Sequence, residues 1–150
     1  MVEKGERQDS VDSVRLAQQI EIYRQQLQAL IQQATGLEAV ETEMMAAKET
    51  LESAEGKDDL LLIPIGGGVF VRGKRKKGDN VLLNIGAGLV VEKTQEEALE
   101  ALERRINENK RLKEIVRKTI EETSEKLEKA EMEFRRVAGE IGKDVQPPQK

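Results

Sequence analysis

The most suggestive spacing in the chain is Gly68-Val-Phe-Val-Arg-Gly73-Lys74, which satisfies the GxxxxGK half of a phosphate-binding loop. That chemistry also needs a Ser or Thr at the next position to ligate Mg²⁺, and a helix N-terminus aimed at the phosphate. Position 75 is Arg and the middle residues have strand character, so nucleotide binding is set aside. The glycines read instead as strand turns or bulges. Arg72, Lys74, Arg75, Lys76 and Lys77 form a basic cluster. Nucleic-acid recognition of this kind calls for interleaved aromatic rings or a second basic patch. The sequence supplies neither, and a solvated hairpin end turning at Gly78-Asp79-Asn80 explains the cluster more simply. Carboxylates are abundant, but in the last third they alternate with Lys and Arg, the pattern of a solvated helix face.

The chain has 150 residues with no Cys, no His and no Trp. Thiol nucleophiles, disulfides, the usual zinc ligands, haem or iron–sulfur ligation and Ser-His-Asp hydrolysis fall together. The expectation is a protein with no metal, no cofactor and no enzymatic activity. Only 2% of residues are aromatic (Tyr23, Phe70 and Phe134) while 36% are charged. That balance suits a long helix or coiled coil better than a ring-nucleated globule. A formal charge of -4 argues against general polyanion binding. No run of 18 apolar residues is present, and MVEKGERQDS lacks the apolar stretch of a signal peptide. The reading is therefore a soluble, cytoplasmic chain with no membrane partner.

Three segments follow different periodicities. Between about Ser10 and Ala54 there is no proline, and Leu16, Ile20, Tyr23, Leu27, Leu30, Ala34 and Leu37 recur in steps of three and four. This is a coiled-coil seam. It resumes as Val40, Met44, Ala47, Leu51 and Ala54, which predicts a stammer beside Gly36 and a local irregularity there. In the last third the seam runs Leu99, Leu102, Ile106, Asn109, Lys113, Val116, Ile120, Thr123, Leu127, Ala130, Phe134, Val137 and Ile141, ten of these thirteen being apolar. Polar Asn109, Lys113 and Thr123 in the seam cost stability and can set register. Thr94 with Glu97 predicts a capping box at the helix start. Five Glu-to-Lys/Arg pairs at i, i+4, from Glu100–Arg104 to Glu131–Arg135, support helicity by about 0.2–0.5 kcal/mol each.

Between the helices, residues 60–91 hold 16 apolar residues in 32 and abandon the 3.5 period. LLLIPI, VFV, VLLNI and LVV, separated by GGG, KKGDN and GAG, read as four strands. Ile65-Gly-Gly-Gly-Val-Phe-Val71 repeats as Ile85-Gly-Ala-Gly-Leu-Val-Val91, an offset of 20 that predicts two similar hairpins. The predicted organisation is a flexible N-terminus (1–9), a coiled-coil helix (10–56), a β assembly module (57–93), a second coiled-coil helix (94–142) and a disordered tail (143–150). The fold class is α+β: a long antiparallel coiled-coil hairpin with a four-strand insert of two hairpins.

Isolated hairpins are marginal in water, and about thirty residues are too few to cover their own apolar faces. Leaving several large aliphatic side chains wet forfeits about 1.5–3 kcal/mol each. The insert is therefore expected to oligomerise into a barrel-like base through Leu60, Leu62, Ile63, Ile65, Val69, Phe70, Val71, Val81, Leu83, Ile85, Leu89 and Val91. Off-seam apolar residues also occur on the helices. In an antiparallel hairpin, Val11, Val14, Ile22 and Met132 gather near Phe134, Val137 and Ile141 at the free end. An apolar cluster there is a candidate surface for exposed apolar segments of other chains. Seven glutamines between Gln18 and Gln33 form a polar, uncharged flank suited to adaptable contacts.

PIGGGVFVRGK followed by NIGAGLVVEKTQEEALEALERRI, set between two coiled-coil helices, resembles the alpha class of prefoldin subunits, in its archaeal type. The resemblance covers about Leu16 to Ile141. It implies an ATP-independent holdase in which two alpha-class and four beta-class subunits join through β-barrels and extend six coiled-coil arms. Alpha-class subunits carry two hairpins, as the duplicated unit here suggests. Unfolded polypeptides would be held at the arm tips, here the zones Val11 to Ile22 and Met132 to Ile141, and passed to a group II chaperonin. The family has no catalytic residues to carry over. Self-assembly of a homomeric, filament-forming relative and a structural coiled-coil scaffold are the alternatives, and a nucleic-acid adaptor ranks third.

Overall fold

The computed structural model describes residues 2–53, 59–76 and 78–143. The order is α1 (Val2–Ser53), β1 (Asp59–Gly66), β2 (Val69–Arg75), β3 (Val81–Gly86), β4 (Leu89–Lys93) and α2 (Gln95–Lys143). The chain divides into two compact units, Met1–Gly36 with Lys113–Lys150 and Leu37–Leu112. Two long helices carrying a four-strand insert of two antiparallel hairpins are the expected fold class. Helix α1 starts at Val2 instead of residue 10: VEKGERQD contains no proline, and Gly5 weakens the helix without stopping it.

The start of α2 is set by the reciprocal bonds that its sequence announces. Thr94 N–H donates to Glu97 Oε2 (3.0 Å), and Glu97 N–H donates to Thr94 Oγ1 (3.2 Å). Two donors without helical partners are thereby satisfied. Glu96 and Glu97 place negative charge in the first turn, where the helix dipole favours it. Along α2 the burial follows the predicted seam: Leu102, Ile106, Asn109, Val116, Thr123, Ala130 and Val137 are all buried.

Helix α1 corrects one expectation. Its half-buried positions continue from Ala34 and Leu37 through Glu41, Met44, Lys48 and Leu51, in unbroken steps of three and four. There is no stammer, and α1 is a single helix through Gly36. Val40 and Ala47, which apolarity alone put in the seam, are exposed. The polar occupants are tolerated because a lysine stem covers apolar surface while its ammonium reaches water. Lys48 Nζ accordingly lies 3.7 Å from Glu103 and 3.8 Å from Glu52. Ala54, the last predicted seam residue, lies outside the described residues.

Within Leu37–Leu112 the helices run antiparallel. Gln95 Nε2 donates to the Leu51 carbonyl (2.7 Å), Lys48 faces Glu103, and Asn109 Nδ2 donates to the Leu37 carbonyl (2.9 Å). Asn109 is thus a satisfied polar seam residue that ties one axial level of α2 to one level of α1. Within the other unit, Ile20 is buried on α1, and Arg24 bonds Glu131 across the pair at 2.7 Å.

The two hairpins have one plan. In the first, Leu60↔Lys74 through Pro64↔Phe70 pair in register before a bulge at Ile65 and the pair Gly66↔Val69. In the second, Val81↔Lys93 through Asn84↔Val90 precede a bulge at Ile85 and Gly86↔Leu89. Gly66 (φ 108°) and Gly86 (φ 106°) occupy backbone open only to glycine, and the two-residue loops that follow are left-handed at both positions. Ala87 adopts φ 50° where the first loop has Gly67. In the second hairpin Asn84 Oδ1 accepts from Gly86 N–H at 2.8 Å and pins the bulge.

Candidate functional site

The sequence motifs with possible ligand chemistry resolve first. Gly68 is in the hairpin turn and Val69 to Lys74 are strand β2, with no helix following. The GxxxxGK spacing therefore builds a hairpin, and Gly73 serves packing: a Cβ there would come within 2.7 Å of Ile63 Cδ1. Of the basic cluster, Arg75 donates to the Asp79 carbonyl (3.0 Å), and Lys76 N–H bonds Asp79 Oδ2 (2.9 Å), closing the connection between hairpins. Arg72 and Lys74 are exposed, and Lys77 lies outside the described residues.

Strand alternation and register sort the apolar residues of the insert into faces. On the first hairpin, Leu60, Leu62 and Phe70 share one face with Arg72 and Lys74, and all three apolar side chains are more than half exposed. The opposite face carries Leu61, Ile63 and Val71 around Gly73. On the second hairpin, Val81, Leu83 and Val91 are only partly exposed. Leu83 and Ile85 line a groove of about 500 Å³ with Ala101, Arg104 and Arg105 of α2. Arg105 donates to the Asn84 carbonyl at 2.6 Å, fastening that face to the helix.

The other face of the second hairpin presents Leu82 (73% exposed) and Val90 (55%). Neither was among the expected assembly residues. The repeat held the missing signal, since an offset of 20 makes Leu82 the counterpart of Leu62 and Val90 that of Phe70. Leu60, Leu62, Ile63, Ile65, Val69, Phe70, Val71, Ile85 and Leu89 are exposed. Each sheet has two strands, so within the described residues every strand keeps an unpaired edge.

Of the seven residues expected at the free end, six have described side chains, and these separate into three situations. Val11, Val14, Ile22 and Met132 are exposed on the helix surface. Phe134 is half-buried and lines a groove of about 510 Å³ with Ala17, Ile20, Glu131 and Arg135. Val137 is a seam residue, 5% exposed, so it holds the helices together instead of facing solvent. The side chain of Ile141 lies outside the described residues.

The perturbed ionisable groups lie on α2. Glu114 is held below the ordinary carboxylate range by the hydrogen bond from Arg117, and Glu133 by the one from Arg136. Each arginine is raised chiefly by the same bond. Arg117 also bonds Glu121, and Arg136 bonds Glu140. These are exposed intrahelical clamps, whose ordinary role is to support helicity.

Paired long helices with a duplicated hairpin insert, whose apolar faces are covered only in part, define a coiled-coil protein built around a β module. Comparison with known proteins makes this specific. A sequence model of the prefoldin subunit family matches residues 23–140, and the chain belongs to the prefoldin family. It is 37% identical over 95 residues to prefoldin subunit alpha 1 of Thermococcus kodakarensis, covering 62% of this chain and 65% of that one. It is 31% identical over 104 residues to prefoldin subunit alpha of Pyrococcus horikoshii, covering 67% and 70%. The match thus spans a little under two thirds of the first relative's length. A cryo-EM structure of filamentous prefoldin from Methanocaldococcus jannaschii has TM-score 0.66 and 25% identity, covering 78% of this chain and 98% of that one. The archaeal alpha-class character expected from the resemblance of the insert motifs stands with these relatives.

Proposed function

We propose that the chain is the alpha-class subunit of an ATP-independent holdase. It assembles through its hairpins with beta-class subunits, two alpha and four beta, captures unfolded polypeptides on the helical unit that carries the chain termini, and passes them to a group II chaperonin. The observation that carries this reading is the partition of exposed apolar side chains. They are dense on the hairpins, where Leu60, Leu62, Phe70, Leu82 and Val90 stand open. They are sparse on the helices, where Val11, Val14 and Ile22 of α1 stand among polar residues. Dense apolar faces beside unpaired strand edges suit permanent subunit contact. Scattered ones suit reversible holding.

The test mixes the chain with a beta-class partner and follows aggregation of a chemically denatured client without nucleotide. Suppression near stoichiometric ratios is expected. An assembled complex that leaves aggregation unchanged would sink the reading. Assembly of copies of this chain alone is a second reading, favoured by the filamentous form named for the Methanocaldococcus jannaschii structure. Long homopolymers without any client effect would favour that reading.

A further inference from the structure

The outer surfaces of the two helices in the unit Met1–Gly36 with Lys113–Lys150 differ sharply in charge. With Ile20 as heptad position a, the outward positions b, c and f of α1 from Val11 to Gly36 are twelve residues, all exposed, of which only Arg15 and Glu21 are charged. The same positions of α2 from Glu114 to Gly139 are also twelve exposed residues, of which nine are charged. The f column makes the contrast plain. It reads Val11, Gln18, Gln25, Gln32 on α1 and Lys118, Glu125, Met132, Gly139 on α2. Val14 and Ile22, both more than half exposed, flank the α1 column.

We propose that this low-charge outer face of α1, from Val11 to Gln32, is where an extended, unfolded, apolar-rich polypeptide docks, and that the outer face of α2 takes no part in holding it. This rests on the holdase reading above and adds which surface holds the client. An apolar segment laid on α2 would strip water from ions, a cost only close ion pairing returns. On α1 it would displace water from amides and aliphatic groups only. Glutamine offers both donors and acceptors, which can replace water at the N–H and C=O groups that an unfolded backbone exposes.

The same features exclude other occupants. A helix from a second copy would need apolar knobs along a continuous seam, and the column offers valine once and glutamine three times. An acidic or basic partner would find one charge of each sign, Arg15 and Glu21. Electrostatic complementarity therefore selects a neutral partner, and the side-chain chemistry selects one with exposed backbone.

The test uses the full chain in its native assembly and a reduced, carboxymethylated globular protein as a permanently unfolded client. Val14→Glu, Gln18→Lys and Ile22→Glu together charge the α1 face; Ile115→Lys with Gly139→Glu adds charge to the α2 face. Helicity and solution mass are checked for both variants. The expected result is a client affinity at least tenfold weaker for the α1 variant and changed less than twofold for the α2 variant. A photo-crosslinker at Gln25 should label the client, and one at Glu125, at the same heptad position, should not. Equal losses in both variants, or equal labelling, would overturn the face assignment and leave the holdase reading intact. No client binding by the unmodified assembly would overturn both. A fall in solution mass on charging α1, with client affinity unchanged, would identify the face as a seat for a second copy and also overturn the proposal.

Discussion

The helices and hairpins of this chain dispose of apolar side chains in opposite ways. On the helices, Leu102, Ile106, Val116 and Ala130 turn inward and the remaining positions are largely polar, so burial is completed inside the chain. On the hairpins, Leu62, Phe70, Leu82 and Val90 remain in water although Leu83 is partly covered. The difference teaches that folding and assembly are served by different segments. The two-helix seam supports the fold, and the hairpins leave apolar area uncovered, which the proposed function gives to other chains. A seam of two helices has its own limit: among the described residues no large side chain is fully buried.

Introducing charge where the hairpins are open is the most disruptive way to probe this division. Leu62→Glu with Leu82→Glu should reduce the solution mass to that of the single chain while far-ultraviolet circular dichroism stays unchanged. Lost helicity would mean that the hairpin faces support the fold itself. On the helical side, Leu102→Ala should destabilise the helix pair by about 2–3 kcal/mol, the low end for a buried leucine because the seam is narrow. Its melting temperature should fall without any change in subunit stoichiometry.

Acid should act on the helices before the hairpins. Glu114 and Glu133 are depressed in the folded state, so their contribution is fully present above the unfolded-state pKa and is lost as pH falls through the folded value. Helicity should therefore decline at pH values below the ordinary carboxylate range. Arg117→Gln with Arg136→Gln should flatten that decline. An unchanged acid profile would show that the clamps contribute nothing measurable, as exposed ion pairs often do. The smallest effect belongs to the hairpin turn. Ala87→Gly relieves left-handed strain but adds unfolded-state freedom, leaving a gain of a few tenths of a kcal/mol, at most ~1. Thermal melts of the assembled protein should show it as a small upward shift.

Much of the fold was legible because local rules agreed with one another. The capping box at Thr94 and Glu97, the seam of α2 and the glycine-punctuated repeat each point to the element that forms. Legibility failed where polar residues perform apolar roles. Glu41 and Lys48 hold seam positions in α1, so apolarity shifted the register onto exposed Val40 and Ala47. A long stem can lie along a seam while its charge stays wet, and hydropathy does not register that. The candidate site was legible as zones more than as residues. Val137 looks from composition like any exposed tip residue, yet heptad phase puts it inside. Leu82 and Val90 escape an alternation that starts at Val81, because that alternation follows the opposite face of the second hairpin.

If the hairpin faces are assembly surfaces, the mass of the protein in solution must show it. Mass should be measured by light scattering on the chain alone and after mixing with a beta-class subunit. A species well above the single-chain mass is expected in at least one of these conditions, abolished by Leu62→Glu with Leu82→Glu. A single-chain mass in both conditions, at concentrations where the protein stays folded, would contradict it.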